Sequence, residues 1–560
     1  MKRLALPWCL GLAVLLRLIG QVSGAAAAER RAVIFYTGSI VGTLEPCGCT
    51  SDPLGDVARL TGLVRKAGGA DKVLLVDAGN LIYPAGTIDE RRAEGADLRA
   101  EFLATELGKL PFGGSALGET DLARGPGRVK PRRLAANLGP DASALVQTES
   151  PLREVGGIKI GLVGLIDPTL ARRMGWKAED PRAAAEREAT RLRRAGAEIV
   201  IALGAFERPL ARQVARSGAV DIIVVGQNVG PDGLARADEV EGSFIVAPAD
   251  ELQKVGRLEL VLRDGGGAGR VKLSDAGGPE ARALEASTLA KKRTQLDSEI
   301  AGFSADQHAD PAFVAARRQE RDEVVQRQAA LAAPFAPPAT GSYFINQLIP
   351  LRRALPRDPA LAAAMRRLDQ KVGAANLARA LPPPPAPPDR ASYVGDQACA
   401  GCHKPAMAYW KKTVHAHAWK TIVEGGKTGF DDCVSCHVTG FGEVGGTSLG
   451  HVTGLTSVQC ETCHGPGSLH VKAEGLDEPA TVRRSTPQST CVRCHTQKHS
   501  DTFNFTAYLR DVLGPGHGAK ARAELGNGPT GAQLRTAAKA KAQAAAKIAL
   551  GGAAGRAAKP

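Results

Sequence analysis

CAGCH (399–403), CVSCH (433–437), CETCH (460–464) and CVRCH (491–495) lie within one short stretch of a 560-residue chain. C-x-x-C-H is the attachment pattern of c-type haem. Two thiols at that spacing can each form a thioether to a porphyrin vinyl group, and the adjacent histidine reaches the iron as proximal ligand. One copy would also suit a zinc knuckle or a redox pair. Four copies, each ending in histidine, point to four covalently bound haem c groups. The attaching residues are Cys399, Cys402, Cys433, Cys436, Cys460, Cys463, Cys491 and Cys494, and the proximal ligands are His403, His437, His464 and His495.

The rest of the composition agrees with this reading. Ten of the eleven histidines lie between His403 and His517, the other being His308, and residues 30–275 contain none. Six histidines in the motif-rich segment are spare: His415, His417, His451, His470, His499 and His517. Met407 is its one methionine, so bis-histidine iron should dominate, and histidine–methionine ligation with its higher potential should be scarce. A five-coordinate iron with an open site is also compatible with the sequence. Few large aliphatics occur between residues 390 and 518. Porphyrins would have to supply the core there, as metals do in other small domains, so this domain should be unfolded without haem.

The apolar fraction of 44% and charged fraction of 23% exclude wholesale disorder. Residues 1–28 read as a secretory signal peptide, with a basic start at Lys2 and Arg3, an apolar run from Leu4 to Ile19 and small residues at Ala25–Ala28. The run is interrupted by Arg17 and is shorter than the roughly 20 residues a spanning helix needs. A periplasmic or otherwise exported bacterial location follows, with no integral membrane span after cleavage. The net charge of +14 includes Lys2, Arg3 and Arg17. Haem propionates would offset most of the remainder, so the basic balance does not imply nucleic acid.

Between residues 30 and 275 strand-like and helix-like segments alternate. Ala32–Tyr36, Lys72–Asp77, Ile158–Ile166, Glu198–Leu203 and Val220–Gly226 are apolar runs suited to strands buried on both faces. Val57–Ala67, Leu98–Leu107, Pro181–Ala195 and Pro209–Arg216 read as helices. This is the pattern of a layered α/β domain. Residues 279–381 read as a helical extension: a hairpin over 279–334, then a helix started by Asp358 and Pro359. Residues 382–389 are a Pro-rich, semi-rigid linker. Residues 519–560 form a basic, Ala-rich tail, read as flexible or nascently helical rather than as a docking element.

WKKTVHAHAW (410–419), CVSCHVTGFG (433–442), VQCETCHGPGSLH (458–470) and CVRCHTQKHSDTFNF (491–505) resemble the multihaem cytochrome c-554 family. The resemblance spans about residues 393–518. It implies a compact tetrahaem electron carrier and makes His415, His470 and His517 the distal candidates, with His417, His451 and His499 as competitors.

The N-terminal part has its own likeness. IFYTGSIVGTLEPCGC (34–49), LGDVARL (54–60), VLLVDAGN (73–80), ALGETDL (116–122) and GIKIGLVGLID (157–167) resemble calcineurin-like metallophosphoesterases, closest to the 5′-nucleotidase branch. That family binds two metals with Asp, His and Asn ligands. Here Ser39 and Val41 stand in place of its Asp-x-His, Glu119 and Thr120 in place of its Asn-His pair, and the late histidines are replaced around Gly204 and Gly226–Asn228. Asp77 is retained. With Asn80, Glu119 and Asp121 it could hold a hard cation weakly; these residues could equally be capping or solvated. Cys47 and Cys49 are the only non-haem thiols beyond the leader. A disulfide across one glycine would be strained and easily reduced. The resemblance places the pair in a loop facing the old active site, with a redox, soft-metal or purely structural role open.

The expected architecture is therefore an α/β layered sandwich (metallophosphoesterase-like, 30–275) plus a mostly α, haem-packed tetrahaem cytochrome c domain (390–518). The expected function is electron transfer between redox partner proteins rather than catalysis. A haem oxidoreductase acting on a small nitrogen or sulfur compound, and a metal-dependent nucleotidase with an appended cytochrome, are the alternatives.

Overall fold

A computed structural model describes residues 29–128, 133–139, 142, 152–263, 270–305, 309–476 and 482–554. The leader at 1–28 and His308 lie outside the described residues. The strands are β1 (Arg30–Thr37), β2 (Val73–Asp77), β3 (Phe112–Ala116), β4 (Arg133–Leu134), β5 (Leu152–Val155), β6 (Ile158–Leu165), β7 (Ile199–Gly204), β8 (Ile222–Val225), β9 (Asp238–Val240), β10 (Ser243–Val246), β11 (Lys254–Leu262), β12 (Leu273–Asp275) and β13 (Ser342–Pro350). They form two mixed sheets. One has the order β12-β13-β11-β1-β2-β3-β4, and the other β5-β6-β7-β8-β10-β9.

The sheets face each other across one core. Ile34, Tyr36, Leu74 and Val76 of the first meet Ile160, Leu162, Ile201 and Val224 of the second. Helices cover the outer faces. Val57–Ala67 buries Val57, Leu60, Thr61 and Val64, the i, i+3, i+4, i+7 stripe that made it legible. On the other side, Pro181–Arg194 buries Ala184, Ala185, Ala189 and Leu192. The result is an α/β/β/α sandwich.

Two expectations need correction. Residues 279–381 are not wholly helical. Their helices Pro279–Ala305, Pro311–Ala332 and Pro359–Ala378 are present, but β13 lies between them and pairs antiparallel with β11 from Lys254↔Pro350 to Val261↔Tyr343. Leu361, Met365, Leu368 and Val372 also join the core beneath the first sheet. The Pro-rich segment is tethered, the carbonyls of Leu381 and Pro384 accepting hydrogen bonds from Ser448 and Gly445. An extended polyproline backbone leaves its carbonyls available for such bonds. The tail docks. Helix Gly531–Ala554 packs on helix Phe505–Val512, Asp511 accepts the Ala532 N–H at 2.8 Å, and Arg535 donates to the Cys49 carbonyl at 2.9 Å.

Candidate functional site

The four C-x-x-C-H segments sit at short helices. These include Asp431–His437, which contains the second motif, and Cys460–His464, which is the third. Sulfur contacts join the motifs two by two. The Cys399 and Cys460 thiols are hydrogen-bond neighbours, as are Cys436 and Cys494.

The imidazoles are oriented from behind. Nδ1 of His437 lies 2.6 Å from the Ala418 carbonyl, Nδ1 of His464 lies 2.7 Å from the Arg483 carbonyl, and Nδ1 of His495 lies 3.0 Å from Ser500 Oγ. A hydrogen bond at one ring nitrogen fixes the ring and leaves the other for a metal. Two of these motif histidines face a second imidazole. The ring centroids of His403 and His470 are 6.5 Å apart, and those of His415 and His495 are 6.1 Å apart. Two imidazoles sharing one metal, each at about 2 Å, place their centroids roughly 6 Å apart. His517 approaches His464 closely enough for their charges to interact. Burial keeps His415, His495 and His517 below the ordinary histidine range, His495 at about 4, so the rings stay neutral with a lone pair to offer. His437 forms no such ring pair with another imidazole among the described residues.

The chain around these histidines suits a large apolar cofactor. Its own core is confined to Ile422, Val434, Val438 and Leu449 with a few partners. Val414, next to His415, is 82% exposed, and Val423, Val471 and Val492 are exposed too. Nδ1 of His470 is buried without a hydrogen-bond partner. Unfilled apolar surface and an orphaned ring nitrogen are what a porphyrin and its iron would satisfy. Glu461, between the cysteines of the third motif, was not singled out from sequence. Its buried carboxylate accepts the N–H groups of Val394, Gly395 and Gly467 and ties the first and third motif regions together. A buried acid inside CETCH was the available signal.

Where the two sheets meet, the corresponding phosphoesterase positions are closed over. Register sets Thr37 beside Asp77 and Asp77 beside Ser115. Both hydroxyls donate to the Asp77 carboxylate, at 2.8 and 2.7 Å, and the Gly79 N–H adds a third bond at 2.8 Å. Burial pushes Asp77 up to about 7. Asp121 accepts the N–H groups of Asn80, Leu81, Ile82 and Gly118, and Glu119 pairs with Arg173 at 2.9 Å. The oxygens of Asp77, Asp121 and Glu119, expected to be able to hold a hard cation weakly, are already engaged in hydrogen bonds and an ion pair of the fold. No three His, Cys, Asp or Glu side chains converge as a metal site among the described residues. The backbones around these positions approach closely. A Cβ added at Gly38 would stand 2.7 Å from Gly226 Cα, and one at Gly79 would stand 2.7 Å from Ala205 Cβ. The loop turns remain unusual: Ser39 and Val41 keep φ of 47° and 46°, a left-handed conformation costly for a β-branched residue.

The family model of cytochrome c554 and c-prime matches residues 398–465. Residues 398–465 thus match a cytochrome c554 domain. Cytochrome c-554 of Nitrosomonas europaea is 38% identical over 151 residues, which is 23% of this chain and 63% of that protein. This chain thus spans less than two thirds of its curated relative. No helix among the described residues is long and apolar enough to cross a membrane. The N-terminal part is structurally like nucleotidases. A 5′-nucleotidase precursor from Thermus thermophilus is 22% identical with a TM-score of 0.34, covering 41% of this chain and 51% of that one. A calcineurin-like phosphoesterase from Bacillus subtilis is 18% identical with a TM-score of 0.32, covering 42% and 87%.

Proposed function

We propose that this chain is an exported tetrahaem cytochrome that carries electrons between redox partners, and that its phosphoesterase-like region no longer hydrolyses phosphate esters. The facing imidazole pairs His403–His470 and His415–His495 carry the first half of this reading. Each C-x-x-C-H motif would attach one haem through its two cysteines, with His403, His437, His464 and His495 as proximal ligands. His470, His415 and His517 would be the distal ligands opposite His403, His495 and His464. Haem c, when bound, supplies a one-electron ferric–ferrous couple. The residues of the chain hold that couple still. The Ala418 and Arg483 carbonyls and Ser500 fix the imidazole planes, so little reorganisation accompanies each transfer. The sulfur contacts bring motifs together in pairs, which supports electron passage between neighbouring haems.

The closed contacts around Gly38, Gly79 and Gly226, and the engaged Asp77 and Asp121, support loss of phosphoesterase chemistry. Two metals about 3.5–4 Å apart need ligands and space that these residues do not leave. The exported location rests on the leader.

A second reading has one observation in its favour: His437 lacks a facing imidazole among the described residues. An open iron there would bind a small nitrogen or sulfur compound. A redox titration followed by carbon monoxide binding to the reduced holoprotein tests both readings. A pure carrier gives reversible haem reduction with unchanged spectra under carbon monoxide. A spectral change equivalent to one haem per chain supports the open site.

A further inference from the structure

Cys47, Gly48 and Cys49 take no part in the function above, yet the structure pins their loop to the cytochrome part. Ser51 donates its backbone N–H to Asp501 at 3.0 Å and its hydroxyl to the same carboxylate. Glu45 pairs with Lys427 at 2.7 Å, and Arg535 of the tail helix reaches the Cys49 carbonyl. Lys427 precedes the 433–437 motif, and Asp501 follows the 491–495 motif. The loop therefore turns to these two motifs, where the phosphoesterase resemblance had it facing the old active site.

The sulfurs of Cys47 and Cys49 lie 2.6 Å apart. The contacts of their loop fall on Lys427, six residues before Cys433, and on Asp501, six residues after His495. The positions of two haem attachments and one vicinal thiol pair thus converge at one junction.

We propose that Cys47 and Cys49 form a dithiol–disulfide couple that exchanges electrons with the haems attached at 433–437 and 491–495. The inference rests on the haem assignment above. In the oxidising direction both S–H bonds break and one S–S bond forms. Two protons leave to solvent, and two electrons pass to two ferric irons, which become ferrous. The reverse reaction uses two ferrous irons and two protons. A dithiol must give up two electrons and a haem accepts one, so two neighbouring haems match the stoichiometry. The hydrogen bond from Cys49 lowers Cys47 to about 7 and raises Cys49, so Cys47 is the readier thiolate. Its partner sulfur is already within bonding reach when the first electron leaves.

The test is a stepwise ferricyanide titration of fully reduced, anaerobic holoprotein, comparing wild type with a Cys47→Ser, Cys49→Ser double variant. Haem absorbance is read at each step, and maleimide labelling of the peptide containing residues 47 and 49 is read by mass spectrometry. Wild type should take up two more oxidising equivalents per chain than the variant. Its two labels should disappear as the haems become ferric, at a rate independent of protein concentration. Equal equivalents in the two proteins overturn the proposal, whether the pair stays labelled throughout as inert thiols or unlabelled throughout as a permanent disulfide. A rate proportional to protein concentration also overturns it, because the transfer is then between chains. A haem assay run first on both proteins separates the two levels: a chain without haem contradicts the carrier assignment itself.

Discussion

At the scale of the residue, the imidazole pairs make a sharper statement than the sequence could. Six spare histidines were visible, but which of them faces which motif depends on chain reversals that no local pattern encodes. His415 lies far in sequence from His495, yet the two rings are 6.1 Å apart. His415→Ala, His470→Ala and His517→Ala should each convert one haem from low to high spin, seen by electron paramagnetic resonance. Unchanged spectra in all three would transfer the distal role to His417, His451 and His499. Asp77 was legible as a retained acid, but its burial between two hydroxyls was not. Its folded pKa of about 7 lies above the ordinary 3.8, so the folded state holds the proton more tightly than the unfolded state. Stability from this group is full below about pH 4 and falls as pH rises towards 7. Asp77→Asn, which keeps a hydrogen-bonding side chain, should remove that decline. It should raise the midpoint of thermal unfolding at pH 8 and change it little at pH 4.

At the scale of the element, the readable segments were those with a strong stripe or cap. Val57–Ala67 has its apolar period and Asp56 capping Ala58, and Pro359–Ala378 has Asp358 capping Leu361. Strand β13, SYFINQLIP, was missed because Asn346 and Gln347 interrupt its apolar run between prolines. Asn346 is in fact buried and accepts from Tyr36 at 2.7 Å, a partner supplied by a strand some 300 residues earlier. Strand β3, FGGSA, was hidden by its glycines; at Gly113 an added Cβ would strike Leu162 of the facing sheet at 2.7 Å. The start of the tail helix is held by the Ala532 N–H on Asp511 and by Arg535 on the Cys49 carbonyl. Removing residues 531–560 should speed maleimide labelling of reduced Cys49 several-fold, because Arg535 holds the Cys49 carbonyl. An unchanged labelling rate would show that the helix does not shield it.

At the scale of the whole molecule, the two parts are joined by charge as well as by chain. Lys427 Nζ lies 2.7 Å from Glu45 and also meets Asp369, while Arg99 and Lys427 both stand over Phe430. Burial pulls the Lys427 pKa down, but the two carboxylates outweigh it and the net shift is upward. Lys427→Met would leave two half-buried acids without their shared cation, and should cost about 1–3 kcal/mol of stability in denaturant unfolding. The part that bears the four motifs has a small apolar core, Ile422, Val434, Val438 and Leu449 with a few partners, whereas the sandwich is filled by its own side chains. This division was legible from composition, since few large aliphatics lie among the four motifs. Full-length holoprotein supplied with manganese, zinc or magnesium should not hydrolyse nucleotides or UDP-sugars; turnover abolished by Asp77→Ala would reinstate the phosphoesterase. The central claim, that each C-x-x-C-H motif carries its own haem, is tested most directly by a pyridine haemochrome assay on protein made with the periplasmic attachment machinery. The ratio should be about four haems per chain, falling by one when Cys460 and Cys463 are replaced by Ala. A ratio near two, or zinc in place of iron, would contradict it.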